Sequence, residues 1–429
     1  MKTALLSGLL LANLALGAHA NWPAWRGGAD GSGVTSEKNL PREWGTNKNV
    51  RWRIELPERG NSTPVVWRDR IFLTQPIEKK GERWLMCFNR ADGKLLWQKG
   101  TTYESPEKTH RSNPYCSASP VTDGERVIVS FGTPGVFCYD FDGKELWRRD
   151  VGKLDHIWGN GPSPVLHGDL CFVYHGPTTK SVLYALDKKT GRTVWQFDEP
   201  KWDTANRTDG FKGEKDTIEG SFSTPIVIRS GGRDELVMSF PQEVRAFEPK
   251  TGNELWRCAG LSPLVYTSPL HADGELVAMG GFYGDSVAVR AGGNGDVTTS
   301  RRAWHLVRAK GGIGSGVIKD GLVFFPIPNG LIGCLDLKTG ETVWEERPKI
   351  SGARGDSWSS MLIAGDLVYL PNQAGDVIVF KAARKFEQVG LNSVNEPSNS
   401  SLAVSNGEIL FRTHKSLWCF GNSTMTAAK

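Results

Sequence analysis

The 429-residue sequence lacks the short motifs that identify many enzymes. It contains no G-x-S-x-G, H-E-x-x-H or phosphate-loop pattern and no C-x-x-C-H site for haem. The glycine-rich stretch from Gly311 to Gly316 leads into a strand pattern rather than a helix, so we interpret it as a tight turn. The commonest hydrolase and nucleotide-binding signatures are therefore excluded.

Long runs of one charge and regularly spaced metal ligands are also missing. The formal net charge of +5 is dispersed along the chain, which makes nucleic acid an unexpected partner. The seven cysteines show no metal-ligand spacing. Four of them occupy the same position in different sequence repeats, too far apart to form disulfides, so we expect free and mostly buried thiols. These four are Cys87, Cys138, Cys334 and Cys419.

Long apolar segments are absent except at the start of the sequence. The short basic segment Met1–Thr3 precedes the apolar run Ala4–Leu16, and Ala18–Ala20 forms an A-x-A cleavage site. We predict a signal peptide at 1–20, with no membrane span after its cleavage and no lipoprotein cysteine following the apolar run. The expected location is the periplasm or the medium.

What the sequence does contain is a recurring tryptophan. Successive copies are separated by 40 to 61 residues, and most follow an Asp-Gly or Thr-Gly turn. A Ser-Pro or Thr-Pro pair often follows in the next apolar segment, as at Thr63-Pro64 and Ser119-Pro120. This period is that of a four-stranded propeller blade. The recurring residues are Trp97, Trp147, Trp195, Trp256, Trp304 and Trp344.

Counting the repeats predicts a closed ring of eight blades. Eight inner-strand segments can be found, and the last repeat stops after its third strand. The segment Val50–Leu56 has the pattern of the missing strand, so we expect it to complete the final blade and leave no open edge. The predicted fold is an all-β, eight-bladed β-propeller at 50–421. An N-terminal extension at 21–49 packs on it, and 422–429 form a disordered tail.

The most regular repeat runs from Ala185 to Trp195. Asp187 and Thr190 can bond to turn backbone, and Gly191 can adopt a positive φ angle. We interpret the tryptophans as packing between blades rather than as ligand-stacking groups. The small third-strand residue is expected to make room for the indole of a neighbouring blade. In the seventh repeat Phe386 is predicted to replace the tryptophan.

The A-x-D-x-x-T-G-x-x-x-W element resembles the tryptophan-docking motif of the pyrroloquinoline-quinone (PQQ)-type propellers. These include quinoprotein alcohol dehydrogenases and non-enzymatic relatives such as the outer-membrane assembly factor B propeller. More narrowly, the chain resembles the exported PQQ-like repeat proteins abundant in planctomycete-type bacteria. The resemblance covers nearly all of the mature chain and is specific for fold but weak for activity. The residues that carry it include Trp22–Gly27, His110–Tyr115, Ser119–Gly124, Cys138–Trp147 and Trp158-Gly159.

In a propeller, the lead-in loop joins the outer strand of one blade to the inner strand of the next. All lead-in loops open at one mouth of the central channel, where a pocket is the default site. We expect six of the candidate residues, His110, His156, Trp158, Asp216, Arg354 and Asp356, to converge there. The full set of candidate ligand-binding residues is His110, Arg111, Asn113, His156, Trp158, Asn160, Asp216, Glu219, Tyr266, Arg354 and Trp358.

If the chain were a quinoprotein dehydrogenase, the resemblance would imply PQQ, Ca²⁺ and an aspartate base. Trp158 would be the floor for the quinone, Asp356 the candidate catalytic base, and Glu219 with Asn160 the metal ligands. The adjacent cysteine pair of that family is absent, and the chain is short for such an enzyme. No cofactor is therefore assigned.

Three readings stay open. The first is a non-catalytic, monomeric binding module with a polar mouth for a small molecule, saccharide, peptide or envelope protein. The second is a PQQ- and Ca²⁺-dependent periplasmic oxidoreductase. The third is an envelope-assembly scaffold resembling assembly factor B. The insertion Glu199–Gly220 is the longest loop and is interpreted as a lid or docking element.

Overall fold

A computed structural model describes residues 20–213, 218–352 and 355–422. Within these ranges no helix is long and apolar enough to cross a membrane. The predicted signal peptide (apart from Ala20), Asp216, Arg354 and the predicted tail beyond Asn422 lie outside the described residues. The chain forms eight four-stranded antiparallel blades arranged as a propeller, which confirms the predicted fold class.

Each blade is a meander whose first strand lies nearest the axis. Blades 1 and 2 consist of Val65–Trp67, Arg70–Ile77, Glu82–Asn89 and Leu95–Thr102, then Val121–Thr122, Arg126–Ser130, Val136–Asp140 and Glu145–Arg149. Blades 3 and 4 consist of Val165–His167, Leu170–His175, Val182–Asp187 and Thr193–Asp198, then Ile226–Ser230, Arg233–Phe240, Glu243–Phe247 and Glu254–Ala259.

The second half of the ring repeats this order. Blades 5 and 6 consist of Leu270–Ala272, Glu275–Met279, Ser286–Arg290 and Arg302–Leu306, then Val317–Lys319, Leu322–Ile327, Leu331–Asp336 and Thr342–Glu346. Blades 7 and 8 consist of Leu362–Ala364, Leu367–Pro371, Asp376–Lys381 and Gln388–Ser393, then Leu402–Ser405, Glu408–Arg412, Ser416–Gly421 and Val50–Glu55.

Short elements complete the description. Four two-residue strands pair in parallel with other segments, and two 3₁₀ turns link the second and third strands of blades 1 and 6. The strands are Val34–Thr35, Gly220–Ser221, Leu264–Val265 and Gly295–Asp296, and the turns are Glu78–Lys80 and Pro328–Gly330.

The N-terminal strand closes the ring as predicted. Val50–Glu55 runs antiparallel to Ser416–Gly421, with Trp52 opposite Cys419. The pairing joins segments from the two ends of the chain, so the final blade has four strands like the others. Closing the ring in this way leaves no incomplete sheet between blades 7 and 1.

The tryptophans connect each blade to the next. In blades 1 to 3 the indole N–H donates to a backbone carbonyl in the following blade's turn, as from Trp195 to Pro249 O at 2.8 Å. The turn glycine makes room, because a Cβ atom at Gly252 (φ 73°) would lie 2.5 Å from the Trp195 indole. The docking role is therefore inter-blade packing. One detail of the expectation was wrong: the small residue Ala185 is the cross-strand partner of its own blade's Trp195.

Blade 7 departs from the predicted pattern. The position equivalent to the tryptophan, opposite Val379, is Gly390, whereas Phe386 lies before the fourth strand and packs on Trp344 and Phe380. The physical reason is the closure of blade 8. Because its fourth strand comes from the N-terminus, blade 8 has no turn there to accept an indole. The gap is filled by Trp44 of the extension.

Trp44 is buried and provides the aromatic contact between blades 7 and 8. Its ring lies 6.3 Å from Tyr369 and 5.5 Å from Phe420, measured between centroids. Its backbone N–H donates to Asn392 Oδ1 on the fourth strand of blade 7. The extension thus supplies both the closing strand and the indole that the seventh repeat lacks.

The extension also crosses the axial channel beneath the inner strands. Its backbone bonds to the first strands of blades 1, 2, 4 and 7, through Val66, Thr122, Val227 and Ile363. Arg26 is buried in the middle of this crossing and donates to five backbone carbonyls, including Gly316 O at 2.6 Å and Gly31 O at 2.7 Å. Burial lowers the pKa of this guanidinium to about 9. The channel is therefore closed at this end.

All seven cysteines are free and buried, in agreement with the expectation from the repeat register. Burial raises the pKa of all seven thiols, as for Cys87, whose pKa rises to about 12. A thiol with such a pKa is almost wholly protonated at neutral pH and is a poor nucleophile or metal ligand. These side chains act as small apolar residues in the blades.

Truncation of the docking tryptophans is expected to destabilise the fold. Trp195 is only half-buried, so Trp195→Ala should lower the free energy of unfolding by about 3 kcal/mol, near the low end for large-to-small changes. Trp256 is fully buried, so Trp256→Ala should lower the free energy of unfolding by more than Trp195→Ala does. Urea unfolding of both variants checks this, and an unchanged midpoint for Trp256→Ala would contradict the packing role.

Arg26→Met should destabilise the closed end of the channel. It removes the donors from several buried carbonyls, and each unsatisfied group costs about 1–3 kcal/mol. We expect a loss of at least about 3 kcal/mol in the free energy of unfolding, measured by urea titration. Arg148→Met, which removes a largely exposed arginine on the outer strand of blade 2, serves as the control.

Candidate functional site

A cavity of about 430 Å³ occupies the axis on the side where the lead-in loops open. Its walls are built by the inner strands and by the residues just before them. Because alternate residues of a strand point the same way, two residues per blade face the axis. They form two stacked rings, with Trp25 of the extension also contacting the space.

The lower ring consists of hydroxyl residues. At seven junctions between blades, the backbone N–H of the Ser or Thr in one blade donates to the side-chain oxygen of the equivalent Ser or Thr in the next blade. The donor–acceptor distances are 2.8–3.1 Å. Between blades 8 and 1, Ser400 Oγ donates to Ser62 O at 3.2 Å. The ring residues are Thr63, Ser119, Ser163, Thr224, Ser268, Ser315, Ser360 and Ser401.

Seven of these eight hydroxyl oxygens, all but that of Thr63, accept a hydrogen bond, yet in the described part of the chain none of the eight O–H groups donates one. A hydroxyl can donate one hydrogen bond as well as accept. All ring members except Ser268 line the cavity. The lower ring therefore offers a set of hydroxyl donors to whatever the cavity holds.

The upper ring lies two residues earlier in each blade and is divided into two arcs. One arc is polar and belongs to blades 8, 1, 2 and 3, whereas the other is apolar and belongs to blades 4 to 7. We name them the polar arc and the apolar arc. The polar arc is Asn399, Asn61, Ser117 and Gly161, and the apolar arc is Phe222, Tyr266, Ile313 and Trp358.

The lead-in loop of blade 2 reaches across the mouth to distant blades. His110 stacks on Trp358 of blade 7, with ring centroids 5.9 Å apart. The backbone carbonyl of Ser112 accepts hydrogen bonds from the amides of Asn61 and Asn399, on blades 1 and 8. Asn113 donates to Trp158 O at 2.7 Å. One loop thus links the lead-in segments of five blades.

The insertion before blade 4 places a further aromatic ring over the apolar arc. Arg207 and Asp209 form a buried ion pair at 2.8 Å, and Asp209 accepts the backbone N–H of Phe211. Phe211 lies 5.3 Å from Trp158 and 5.4 Å from Phe282 between ring centroids. This part of the insertion is a wall of the cavity. Its interpretation as a lid or docking element stays a prediction.

The structure brings together some of the sequence-predicted residues. His110, Asn113, Trp158, Tyr266 and Trp358 line the cavity. His156 lies behind it, 5.4 Å from both Trp158 and Phe222 between ring centroids, and Asp356 is not among the lining residues. Asp216 and Arg354 lie outside the described residues. Ligand binding by any of these residues stays a prediction.

The remaining predicted residues have structural partners elsewhere. Arg111 accepts a hydrogen bond from Arg59 through its carbonyl. Asn160 donates to Gly176 O at 2.5 Å, and Glu219 accepts the backbone N–H of Trp202. None of these three side chains lines the cavity.

The donor set of the site does not fit Ca²⁺ with PQQ. The described residues lining the cavity include no Asp, Glu, Lys or Arg. The described residues also contain no group of three or more His, Cys, Asp or Glu that could hold a metal ion. The proposed ligands Asn160 and Glu219 are engaged with backbone groups instead. The described lining groups are aromatic rings, one imidazole, amides and hydroxyls.

Two histidines near the mouth have defined tautomers. His156 Nδ1 accepts the backbone N–H of Trp158, and His110 Nδ1 accepts that of Ser112, so each neutral ring carries its proton on Nε2. Burial lowers the pKa of His156 to about 4. His156 is therefore neutral at physiological pH, and its hydrogen bond to the Trp158 backbone helps to position Trp158.

Several lining residues were missed by sequence reasoning. Trp25, Phe211, Phe222, Phe282 and Asn61 were not chosen, although all line the cavity. A usable signal existed for two of them. The Ser-Pro and Thr-Pro pairs mark the lower ring, and counting back two residues identifies Asn61 and Phe222. Trp25, Phe211 and Phe282 come from non-repeating segments, for which no periodic signal exists.

Comparison with known proteins places the chain among propellers. The family model described as outer membrane protein assembly factor BamB matches residues 81–346 and 240–426. BamB from Moraxella catarrhalis is 13% identical, with a TM-score of 0.59 and coverage of 87% of this chain and 98% of that chain. No curated protein matches the sequence significantly.

Solved enzyme structures share the same fold at low identity. A europium-containing methanol dehydrogenase is 10% identical, with a TM-score of 0.69 and coverage of 94% of this chain and 98% of that chain. Quinohemoprotein alcohol dehydrogenase from Comamonas testosteroni is 11% identical, with a TM-score of 0.63 and coverage of 95% and 82%, respectively. At these identities the likeness shows the fold alone.

The state of His156 predicts a pH dependence of stability. Its pKa is about 4 in the folded protein and 6.5, the ordinary histidine value, in the unfolded chain, so the unfolded chain binds more protons between these values and stability falls as pH decreases from 6.5 to 4. His156→Asn keeps an acceptor for Trp158 but cannot titrate. Between pH 7 and 5, the free energy of unfolding should fall by about 1–2 kcal/mol less in the variant than in wild type. Equal losses, measured by urea unfolding, would contradict the assignment.

Proposed function

The chain belongs to the propeller family described as outer membrane protein assembly factor BamB, and on this premise we propose that it is a non-catalytic binding module of the cell envelope. Its ligand is a small molecule held in the axial cavity. The observation that supports this most is the cavity wall, which has a lower ring of hydroxyl residues and an upper ring that is apolar on one side and polar on the other.

The composition of the wall argues for binding rather than turnover. No described lining residue is a carboxylate, lysine or cysteine, and among the described residues no lower-ring hydroxyl donates a hydrogen bond to a general base that could activate it as a nucleophile. Among the described lining residues the titratable groups are His110 and Tyr266, and burial raises the pKa of Tyr266 far above its usual value. A neutral, preformed pocket is suited to recognition.

An exported location is part of the proposal. It rests on the leader pattern at 1–20 and on the family match. The two other readings have weaker support. An oxidoreductase with PQQ and Ca²⁺ would need a different donor set. A scaffold for envelope assembly is favoured by the family match alone, and it would use surfaces outside the cavity.

A cavity-filling variant tests the proposal. Gly161 faces the cavity, and a Cβ atom there would make ordinary contact with Phe222 at 3.7 Å, so Gly161→Leu should fold normally while occupying the site. Probes of three classes would be titrated against intrinsic tryptophan fluorescence: neutral disaccharides, tripeptides, and PQQ with Ca²⁺. We expect one class to bind wild type saturably and Gly161→Leu at least tenfold more weakly.

Leu146→Ala on the exposed outer strand of blade 2 is the matched control and should bind like wild type. PQQ-dependent dye reduction with an alcohol, present in wild type and lost in Gly161→Leu, would establish the oxidoreductase instead. If no class discriminates between wild type and Gly161→Leu, the cavity is not the binding site.

A further inference from the structure

The two arcs of the cavity define the chemistry of the ligand. We infer that the cavity binds a neutral saccharide of one or two sugar rings, with a C–H face against the apolar arc and hydroxyl groups toward the polar arc. This inference rests on the proposed function, since it names the ligand class of the same site. It follows from charge, hydrogen-bonding capacity, shape and size.

Charge excludes ionic ligands from the described wall. A carboxylate, phosphate or ammonium group entering the cavity would lose water without meeting an Asp, Glu, Lys or Arg side chain among the described lining residues. Arg26 lies below the lower ring, but its donors are already directed at backbone carbonyls. Acidic and amino sugars are therefore disfavoured relative to neutral ones.

Hydrogen-bonding capacity requires a ligand that both donates and accepts along one edge. Asn61 Oδ1 is a buried acceptor without a partner among the described residues. Thr63, two residues later on the same face, belongs to the hydroxyl ring whose donors are unused. The neighbouring ring members Ser119 and Ser401 also have hydroxyl groups whose donors are unused. An alcohol matches both requirements, because its oxygen accepts while its O–H donates.

The opposite wall offers flat apolar surface. Phe222 and Tyr266 are stacked with ring centroids 5.6 Å apart and planes at 5°. Ile313 and Trp358 continue this wall, and Phe211 with Phe282 extends it toward the mouth. A sugar ring carries C–H groups on its faces and hydroxyls on its rim, so it can satisfy both arcs in one orientation. A hydrocarbon or an aromatic ring cannot form hydrogen bonds with the polar arc.

Size agrees with one or two sugar rings. Ligand pockets of about 300–1,000 Å³ hold drug-sized molecules, and this cavity measures about 430 Å³. The floor is closed by the crossing extension, with Trp25 facing the cavity. A long chain threading through the channel is thus excluded, and the end of a saccharide or a short free sugar is expected.

The test is calorimetric titration with maltose, cellobiose and chitobiose as neutral probes, and with glucuronic acid and glucosamine compared against glucose. We expect at least one neutral disaccharide to bind and both charged sugars to bind at least tenfold more weakly than glucose. Asn61→Leu removes an amide of the polar arc, and Tyr266→Leu removes an aromatic ring of the apolar arc. Each change should weaken binding at least tenfold. Gln98→Leu, exposed on the outer strand of blade 1, should leave it unchanged.

The outcomes separate this inference from the proposed function. If no neutral disaccharide binds, but tripeptides or PQQ bind wild type and not Gly161→Leu, the ligand class is wrong and the binding module stands. If nothing binds in the cavity, both fail. Preference for glucuronic acid, or saccharide binding that survives Gly161→Leu, overturns the inference. Should Tyr266→Leu fail to fold, Asn61→Leu and Gly161→Leu carry the test.

Discussion

The hydrogen bond from one blade's backbone to the next blade's hydroxyl is the constraint on which the rest of the structure depends. At seven of the junctions it joins equivalent residues of the inner strands, such as Thr63 and Ser119. The bond fixes how closely the blades approach at the axis, and it leaves the hydroxyl proton unused. In five blades the next residue is proline, which lacks an N–H group and so leaves no unsatisfied donor at that point.

Farther from the axis, the tryptophan indoles make the contacts between blades. Most dock on a turn of the next blade, usually beside a glycine that makes room for the indole, whereas Trp256 donates to Glu235 of its own blade. Inner and outer contacts together set the angle between blades. The junction between blades 7 and 8 breaks this rule because blade 8 is completed by the N-terminal strand. Trp44 fills that junction from the extension. Closing the ring thus determines where the extension must run.

The same extension decides that the axis holds a pocket rather than a pore. Arg26 ties residues 31 and 32 to the inner strands of blades 6 and 7, and the backbone on both sides of it bonds to other inner strands. With the far end closed, the side chains facing the mouth surround a blind cavity. Its described lining residues include no carboxylate to hold the metal of a quinone site, although the folds are shared.

The sequence by itself determined the propeller, the number of blades and the closing strand, because these follow from periodicity: a repeat every 40 to 61 residues and an incomplete last repeat. It also indicated the mouth, since topology brings the lead-in loops together, and His110, Trp158, Tyr266 and Trp358 do meet there. Only the tertiary structure decided which loop residues face inward. His156, Asp356 and Glu219 lie in the same loops, yet burial and backbone partners hold them outside the cavity lining. Non-repeating segments supplied Trp25 and Phe211, whose positions depend on contacts between residues far apart in sequence, which no periodic pattern encodes.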